Sequence, residues 1–285
     1  MINFRRNVVL KKAWRYGSAF PRAWRLMGVS GELYKADAPV LVNSVPKSGT
    51  YLLQKILGVV DGKRDWGNFL ASQPSYSSRV RDGAQMASRA SRMVPGELVC
   101  GHLHFSKESK EALERLNAVH FLIYRDPRDV AISEAHYLGE MNRWHYMHRT
   151  FKPLSESERI ALSIRGNESA GGGYPDIGKR YAAFLGWIED PEVYSVSYER
   201  LVSDERALEF RKVFEFLSQK TGQALEIDSL VQRALEAVQP KRSHTFRRGG
   251  SGGWRADLDE AAKRDFKAVA GDLLIRLGYE DSTDW

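Results

Sequence analysis

The chain has 285 residues, 42% apolar, 28% charged and 11% aromatic, a composition and length that allow a sizeable buried core. No window approaches the roughly 18–20 uninterrupted apolar residues of a membrane-spanning helix, and the first residues lack the apolar core and cleavage site of a secretory signal. The net charge of +7 lies in one place: residues 1–35 carry eight of the 43 basic side chains (Arg5, Arg6, Lys11, Lys12, Arg15, Arg22, Arg25, Lys35) and one of the 36 acids, Glu32. The other 250 residues hold 35 basic and 35 acidic side chains, which speaks against a nucleic-acid-binding face spread over the body. One cysteine, Cys100, allows no intrachain disulfide and fits a reducing compartment, so a cytoplasmic location is expected.

Residues 1–37 read as a basic arm with aromatics among its charges (Phe4, Trp14, Tyr16, Phe20, Trp24), broken by Pro21. Such an arm suits an anionic membrane surface, nucleic acid, or packing on the body as a helical extension. From residue 38 to 285 the pattern is strand-then-helix. Val40–Val45 predicts a buried strand and Thr50–Val60 a helix. Residues 61–96 are rich in Gly, Ser and charge, with a short helical pattern near 82–93. Glu97–Leu103 predicts a second strand and Lys107–Asn117 a helix. Val119–Tyr124, "VHFLIY", is the clearest buried strand, followed by a helix over 127–138.

Residues 139–153 are aromatic and histidine-rich without periodicity and read as a loop or lid. Helices follow at 155–166 and 174–188, separated by Gly171-Gly-Gly173. Val193–Tyr198 predicts a strand, 204–219 and 228–237 helices, Gly249–Gly253 a flexible loop and 258–277 a closing helix. Apolar strands alternating with helices predict an α/β fold: a single domain with a central parallel sheet flanked by helices.

Four segments carry chemistry. In Pro46-Lys-Ser-Gly-Thr50 a buried strand delivers Lys47, Ser48, Gly49 and Thr50 to a helix start. There the unpaired N–H groups and positive dipole end favour an anion, and Gly49 allows close backbone approach. This is not the nucleotide P-loop, which has a glycine five residues before its lysine. In Tyr124-Arg-Asp-Pro-Arg-Asp-Val-Ala-Ile-Ser133, Arg125 sits at a strand's carboxyl end and Ser133 two turns into the next helix, a second phosphate clamp or else a surface ion-pair network among Arg125, Asp126, Arg128 and Asp129. Arg247 and Arg248 beside Gly249 can fold over a polyanion. In Cys100-Gly-His-Leu-His104, strand alternation predicts that His102 and His104 point together, and a histidine at a strand end is a natural general base.

In order, these segments resemble one family, the sulfotransferases that use 3′-phosphoadenosine 5′-phosphosulfate (PAPS). Pro46–Thr50 is similar to the family's 5′-phosphosulfate loop, Arg125–Ser133 to its 3′-phosphate segment, Arg247-Arg248-Gly249 to its closing R-K-G loop, Gly101-His102-Leu103 to its catalytic histidine segment, and Tyr198-Glu-Arg-Leu201 to the Y-E-x-L segment beside the adenine. The resemblance spans roughly residues 38–278 and implies a P-loop-kinase-like sulfotransferase fold. It implies nucleotide binding by Lys47, Ser48, Gly49, Thr50, Tyr51, Arg125, Ser133, Tyr198, Arg247, Arg248 and Gly249, and catalysis by His102, Lys47 and Ser133. Three departures stand out. Tyr51-Leu52 replaces the family's Thr-Trp, His104 takes the usual proline position and leaves His102 and His104 both open as the base, and the short C-terminal dimerisation motif is not evident near 256–272.

The implied reaction is in-line transfer of a sulfuryl group from PAPS to a hydroxyl or amine of a small-molecule acceptor. His102 takes the acceptor proton, Lys47 neutralises charge on the bridging oxygen as 3′,5′-ADP (PAP) leaves, and Ser133 helps hold that geometry. No metal is expected: His145-x-x-His148, with His136 upstream, has no carboxylate or cysteine to complete a set. Tyr137, Trp144, Tyr146 and Phe151 are expected to wall the acceptor pocket, Cys100 to be a small buried strand residue, and Glu134 either to face the acceptor or to be solvated. The competing readings are a P-loop kinase or NTPase, and a membrane or nucleic-acid binder acting through residues 1–35. Peripheral membrane contact is the role weighed for the arm, and nucleic acid is not an expected partner.

Overall fold

A computed structural model of the chain describes residues 30–168, 173–238 and 252–285. Most of the basic arm, and Arg247, Arg248 and Gly249, lie outside the described residues. A short helix α1 (Gly31–Ala36) leads into β1 (Val40–Ser44), and the loop after β1 opens α2 (Thr50–Leu57). Then come β2 (Phe69–Ala71), α3 (Gly83–Ala90), β3 (Leu98–His102), α4 (Lys107–Arg115), β4 (Val119–Tyr124) and α5 (Pro127–His136). A π-helical turn, Tyr137–Met141, continues α5 directly. The chain goes on through α6 (His148–Phe151), α7 (Glu156–Arg165), α8 (Ile177–Ile188), β5 (Tyr194–Ser197), α9 (Tyr198–Val202), α10 (Arg206–Thr221), α11 (Ile227–Ala237), α12 (Trp254–Asp257) and α13 (Glu260–Arg276).

The strands form one parallel sheet in the order β2-β3-β1-β4-β5. β1 is central, with Asn43 opposite Gly101 of β3 and Ser44 opposite Ile123 of β4. Every residue of β1 is buried, as a parallel strand covered on both faces must be. Its alternation splits the core in two. Val40 and Val42, with Cys100 and Phe121, pack in the layer that holds α2, Phe210 and Phe214. Leu41, with Val99 and Leu122, packs in the opposite layer, which holds Phe184, Trp187 and Ala131.

The α/β expectation and the longer strands stand. β2 lies inside the segment read as irregular, α6 inside the segment read as a loop or lid, and α9 and α12 are two further short helices not expected from the pattern. The helix expected to run to residue 138 changes at Tyr137 to wider π turns. Phe151 is not a pocket wall: it is fully buried against Leu138, Met147 and Tyr174, because α6 turns it inward.

His120 on β4 is buried against the Trp187 ring, and neither ring nitrogen has a hydrogen-bond partner among the described residues. Burial lowers its pKa to about 3, so the fold requires the neutral imidazole. A folded-state value below the unfolded value of about 6.5 gives stability that is complete above pH 6.5 and falls as the pH drops toward 3. His120→Leu should therefore cost little at pH 7, and equilibrium urea unfolding at pH 6.5, 5.5 and 4.5 should show a shallower decline than wild type. An unchanged slope would contradict this role for His120.

Candidate active site

The carboxyl ends of β1, β3, β4 and β5 meet at one edge of the sheet, the side where open α/β sheets receive ligands. Asn43, fully buried on β1, fastens two of these ends together. Its side-chain amide donates to the Leu103 carbonyl (2.9 Å), and its oxygen accepts from Leu103 N (2.8 Å) and Ser44 N (3.0 Å). The fastening places His102 beside Ser44: His102 Nδ1 lies 2.9 Å from the Ser44 carbonyl and 3.0 Å from Ser44 Oγ. A carbonyl only accepts, so Nδ1 carries the hydrogen and Nε2 the lone pair. Ser44 Oγ also shares a hydrogen with Thr50 Oγ1 at 2.6 Å. Histidine, strand end and helix start are thus one hydrogen-bonded unit.

The two histidines do not point together. β3 ends at His102, and the bonds from Asn43 turn Leu103 out of the strand, so alternation no longer holds. His102 packs edge-on to Phe69 (5.0 Å) in the α2 layer, whereas His104 packs on Phe184 (5.1 Å) in the other. Burial lowers the pKa of both, that of His104 to about 4.

The Lys47–Thr50 loop needs unusual backbone. Lys47 has φ 67° and Gly49 φ 99°, both in the left-handed region that glycine tolerates and lysine adopts only when held there. A Cβ at Gly49 would stand 2.8 Å from Tyr198 Cδ2, so the glycine lets the loop lie against the tyrosine ring. Ser48 is fully buried, and Tyr51 is exposed on the first turn of α2. The Lys47 ammonium sits 3.9 Å from the centre of the Tyr137 ring. Burial lowers its pKa, Glu134 opposes that effect, and Arg125 adds to it.

Arg125 follows β4, its guanidinium 4.6 Å from the Tyr198 ring centre and 3.3 Å from Asp129. Asp129 in turn accepts from the backbone N–H of Gly252 (3.0 Å) and Trp254 (2.9 Å), tying the chain after residue 251 to this helix. Glu199 of the Tyr198–Leu201 segment accepts from Asp126 N (3.1 Å) and from the Tyr279 hydroxyl (2.8 Å). The expected surface network is instead a buried one: Asp126 takes up the Arg128 guanidinium through Nε and Nη2 (2.8–3.2 Å), and Glu280 holds Nη1 at 2.5 Å. Glu134 is no solvated helix position; it is buried and paired with Arg180 at 3.1 Å.

Lys47, Gly49, Tyr198, Arg125 and His102 are therefore neighbours at this edge of the sheet, and Ser133 lies partly buried on α5 beside Glu134. Among the described residues no group of three or more His, Cys, Asp or Glu could hold a metal ion, and no helix is long and apolar enough to cross a membrane. The sequence reading missed Asn43, Ser44 and the Glu134–Arg180 pair, and named Asp129 only as an ion-pair partner of Arg125. A polar pair inside the apolar run Val40–Val45 is the signal that points to the first two. Gly49→Ala should lower thermal stability by about 1–3 kcal/mol, because alanine is strained in the left-handed region and meets Tyr198. Calorimetric scanning checks this, and a melting temperature equal to wild type would contradict the close approach.

Comparison with known proteins agrees with this geometry. The family described as "Sulfotransferase domain" matches residues 37–278. Human sulfotransferase 2A1 is 25% identical over 94% of this chain and 96% of its own length, and the protein of the same name from Macaca fascicularis is 24% identical over the same shares. Among solved structures, mouse sulfotransferase SULT7A1 complexed with PAP superposes with a TM-score of 0.55 at 17% identity, covering 86% of this chain and 87% of that one. Retinol dehydratase in complex with androsterone and PAP gives 0.54 at 15%, covering 85% and 83%. At those identities the structures speak for the fold, a parallel sheet flanked by helices, while the match over residues 37–278 speaks for descent: the chain belongs to the sulfotransferase domain family.

Proposed function

We propose that this protein transfers the sulfuryl group of PAPS to a hydroxyl or amine of a small-molecule acceptor, with His102 as general base. The observation that carries this reading is the Ser44 bridge. It joins the base to the first residue of the phosphate-loop helix, and it leaves Nε2 of His102 as the atom able to take a proton.

The residues fit the donor. The loop at Lys47–Thr50 offers helix N–H groups, the Lys47 charge and a glycine that brings the backbone close, and Arg125 supplies a planar guanidinium for the second phosphate. Ser48, Thr50, Tyr51, Ser133 and Tyr198 belong to the same nucleotide site, as do Arg247, Arg248 and Gly249. In the transfer, the acceptor oxygen or nitrogen forms a bond to sulfur while the bond from sulfur to the bridging oxygen breaks. His102 Nε2 takes the acceptor proton, and the Lys47 ammonium neutralises the charge left on the 5′-phosphate of PAP. Ser133 helps hold that geometry.

A Mg²⁺-dependent kinase or NTPase is disfavoured by Asp126. Both its carboxylate oxygens are taken by Arg128, so the acid after the strand is not presented to a metal. Two of the structural neighbours were solved with the small molecules androsterone and retinol, and a small acceptor is the reading adopted for this chain. Peripheral membrane contact through residues 1–35 and a cytoplasmic location belong to the same proposal, supported by the charge of that arm and the single cysteine.

Labelled PAPS with a panel of phenols, alcohols and amines should give a labelled product with wild type. His102→Ala should lose about 10²–10⁴-fold in kcat and still bind PAP in a calorimeter. Because burial lowers the His102 pKa, the imidazole stays neutral below the usual value of about 6.5, so the acidic limb of kcat/KM should fall below pH 6.5. Near-normal turnover in His102→Ala would move the base to His104, and an acidic limb above pH 6.5 would contradict a buried base.

A further inference from the structure

Lys47 stands partly buried at the start of its loop, with a left-handed backbone, close to a second cation, Arg125, and to His102. A buried ammonium with cationic neighbours is driven toward the neutral amine, which could not stabilise a departing oxyanion. Two groups on the α5–π segment oppose this. Tyr137 places its ring 3.9 Å under the ammonium, and Glu134, one helical turn earlier and so on the same face, presents a buried carboxylate. That carboxylate does not bind Lys47 directly; its ion pair is with Arg180, at 3.1 Å. Arg180 is itself fixed by the carbonyls of Ser163 (2.7 Å) and Pro175 (2.5 Å) and lies 4.6 Å from the Tyr174 ring centre.

We propose that Glu134 and Tyr137 are positioning residues for Lys47: Arg180 tethers the Glu134 carboxylate at a distance where it keeps the lysine charged, and the Tyr137 ring is the rest on which that charge waits. Sequence and geometry agree on why both are needed. A carboxylate free to rotate would capture the ammonium in a salt bridge and hold it away from the bridging oxygen. A carboxylate pinned by Arg180 supplies counter-charge without capture. The aromatic face attracts the cation weakly and releases it without breaking a hydrogen bond. The π turn at Tyr137–Met141 begins at the residue that carries the ring, where a regular α-helix would give a different exit direction after His136. The groups that face Lys47 are Glu134 and Tyr137 on this segment, Arg125 at the end of β4 and His102 at the end of β3. The carboxylate and the ring stabilise the charge, the Arg125 cation opposes it, and the His102 imidazole is held neutral by burial.

The inference rests on the sulfotransferase reading for its catalytic meaning, but its test does not. The full-length protein is reductively methylated with ¹³C-formaldehyde, which keeps lysine charged, and the Lys47 resonance is assigned by its absence in Lys47→Arg. Glu134→Gln keeps the side-chain shape and its contact with Arg180 but removes the charge. Its Lys47 resonance should titrate at least about one pH unit below wild type. Tyr137→Phe should titrate as wild type, and Tyr137→Leu lower. In transfer assays Glu134→Gln should lose about tenfold in kcat at pH 8 with little change in KM for PAPS, and recover as the pH is lowered toward 6.5. A purely structural defect would not be rescued by acid. A wild-type titration in Glu134→Gln, or a kcat loss independent of pH, overturns the inference and leaves the sulfotransferase reading intact. A shifted titration in a protein that never consumes PAPS supports the inference about Lys47 and sinks the reading.

Discussion

One buried carboxamide fixes the relation on which the site depends. Asn43 sits at full burial in the central strand, and its two hydrogen bonds to Leu103 join the ends of β1 and β3 while a third, from Ser44 N, holds its side chain within β1. Without them the phosphate loop and His102 would be carried by two separate strand ends, each free to fray. With them, His102, Ser44 and Thr50 move as one body. A buried polar group left unsatisfied costs about 1–3 kcal/mol, so an asparagine in an apolar strand is tolerated only where all its groups are engaged, as they are here.

The second constraint is electrostatic. A pocket meant for a nucleotide with several negative charges must gather cations, and gathered cations repel and resist burial. Arg125 and Arg128 each have a carboxylate held at a set distance. Arg128 is locked between Asp126 and Glu280 and flanked by the Trp254 and Trp285 rings, at 3.6 and 4.5 Å. It serves the architecture, docking the C-terminus onto α5. Arg125 shares Asp129 with two backbone N–H groups, so that carboxylate both steadies the arginine and anchors the chain that follows residue 251. Lys47 has no ion pair of its own among the described residues and leans on an aromatic face. The division of labour follows from the bonds: the arginine that is fully paired holds the fold, and Arg125 and Lys47, less fully paired, stand at the sheet edge.

Much of this was legible in the residues. Val119–Tyr124 is apolar throughout and can only be a strand covered on both faces, and the order of the Lys47, His102, Arg125 and Tyr198 segments along alternating strands brings them to one sheet edge. The rest was illegible for physical reasons. β2 has three residues, Phe69–Ala71, and no period shows in so short a run; it exists because β3 offers it a partner. Strand alternation misled at His102 and His104 because it presumes a strand that Asn43 ends. Glu134 looked equally fit for water or for the acceptor until its partner appeared 46 residues away in sequence, Arg180. Long-range pairing of that kind leaves no local mark. Phe151 looked like pocket wall for the same reason, since only the fold turns α6 against Tyr174.

The central claim is that the sheet edge at β1 and β4 binds a 3′-phosphorylated adenine nucleotide through protein cations, without a metal. Isothermal titration of wild type and Arg125→Gln with PAP and with ATP, each in EDTA, tests it most directly. Wild type should bind PAP in EDTA and prefer it to ATP, and Arg125→Gln should bind PAP about 10–100-fold more weakly, the worth of a lost charge-assisted contact. Binding of ATP only when Mg²⁺ is restored, with PAP ignored or held equally well by the variant, would contradict the account.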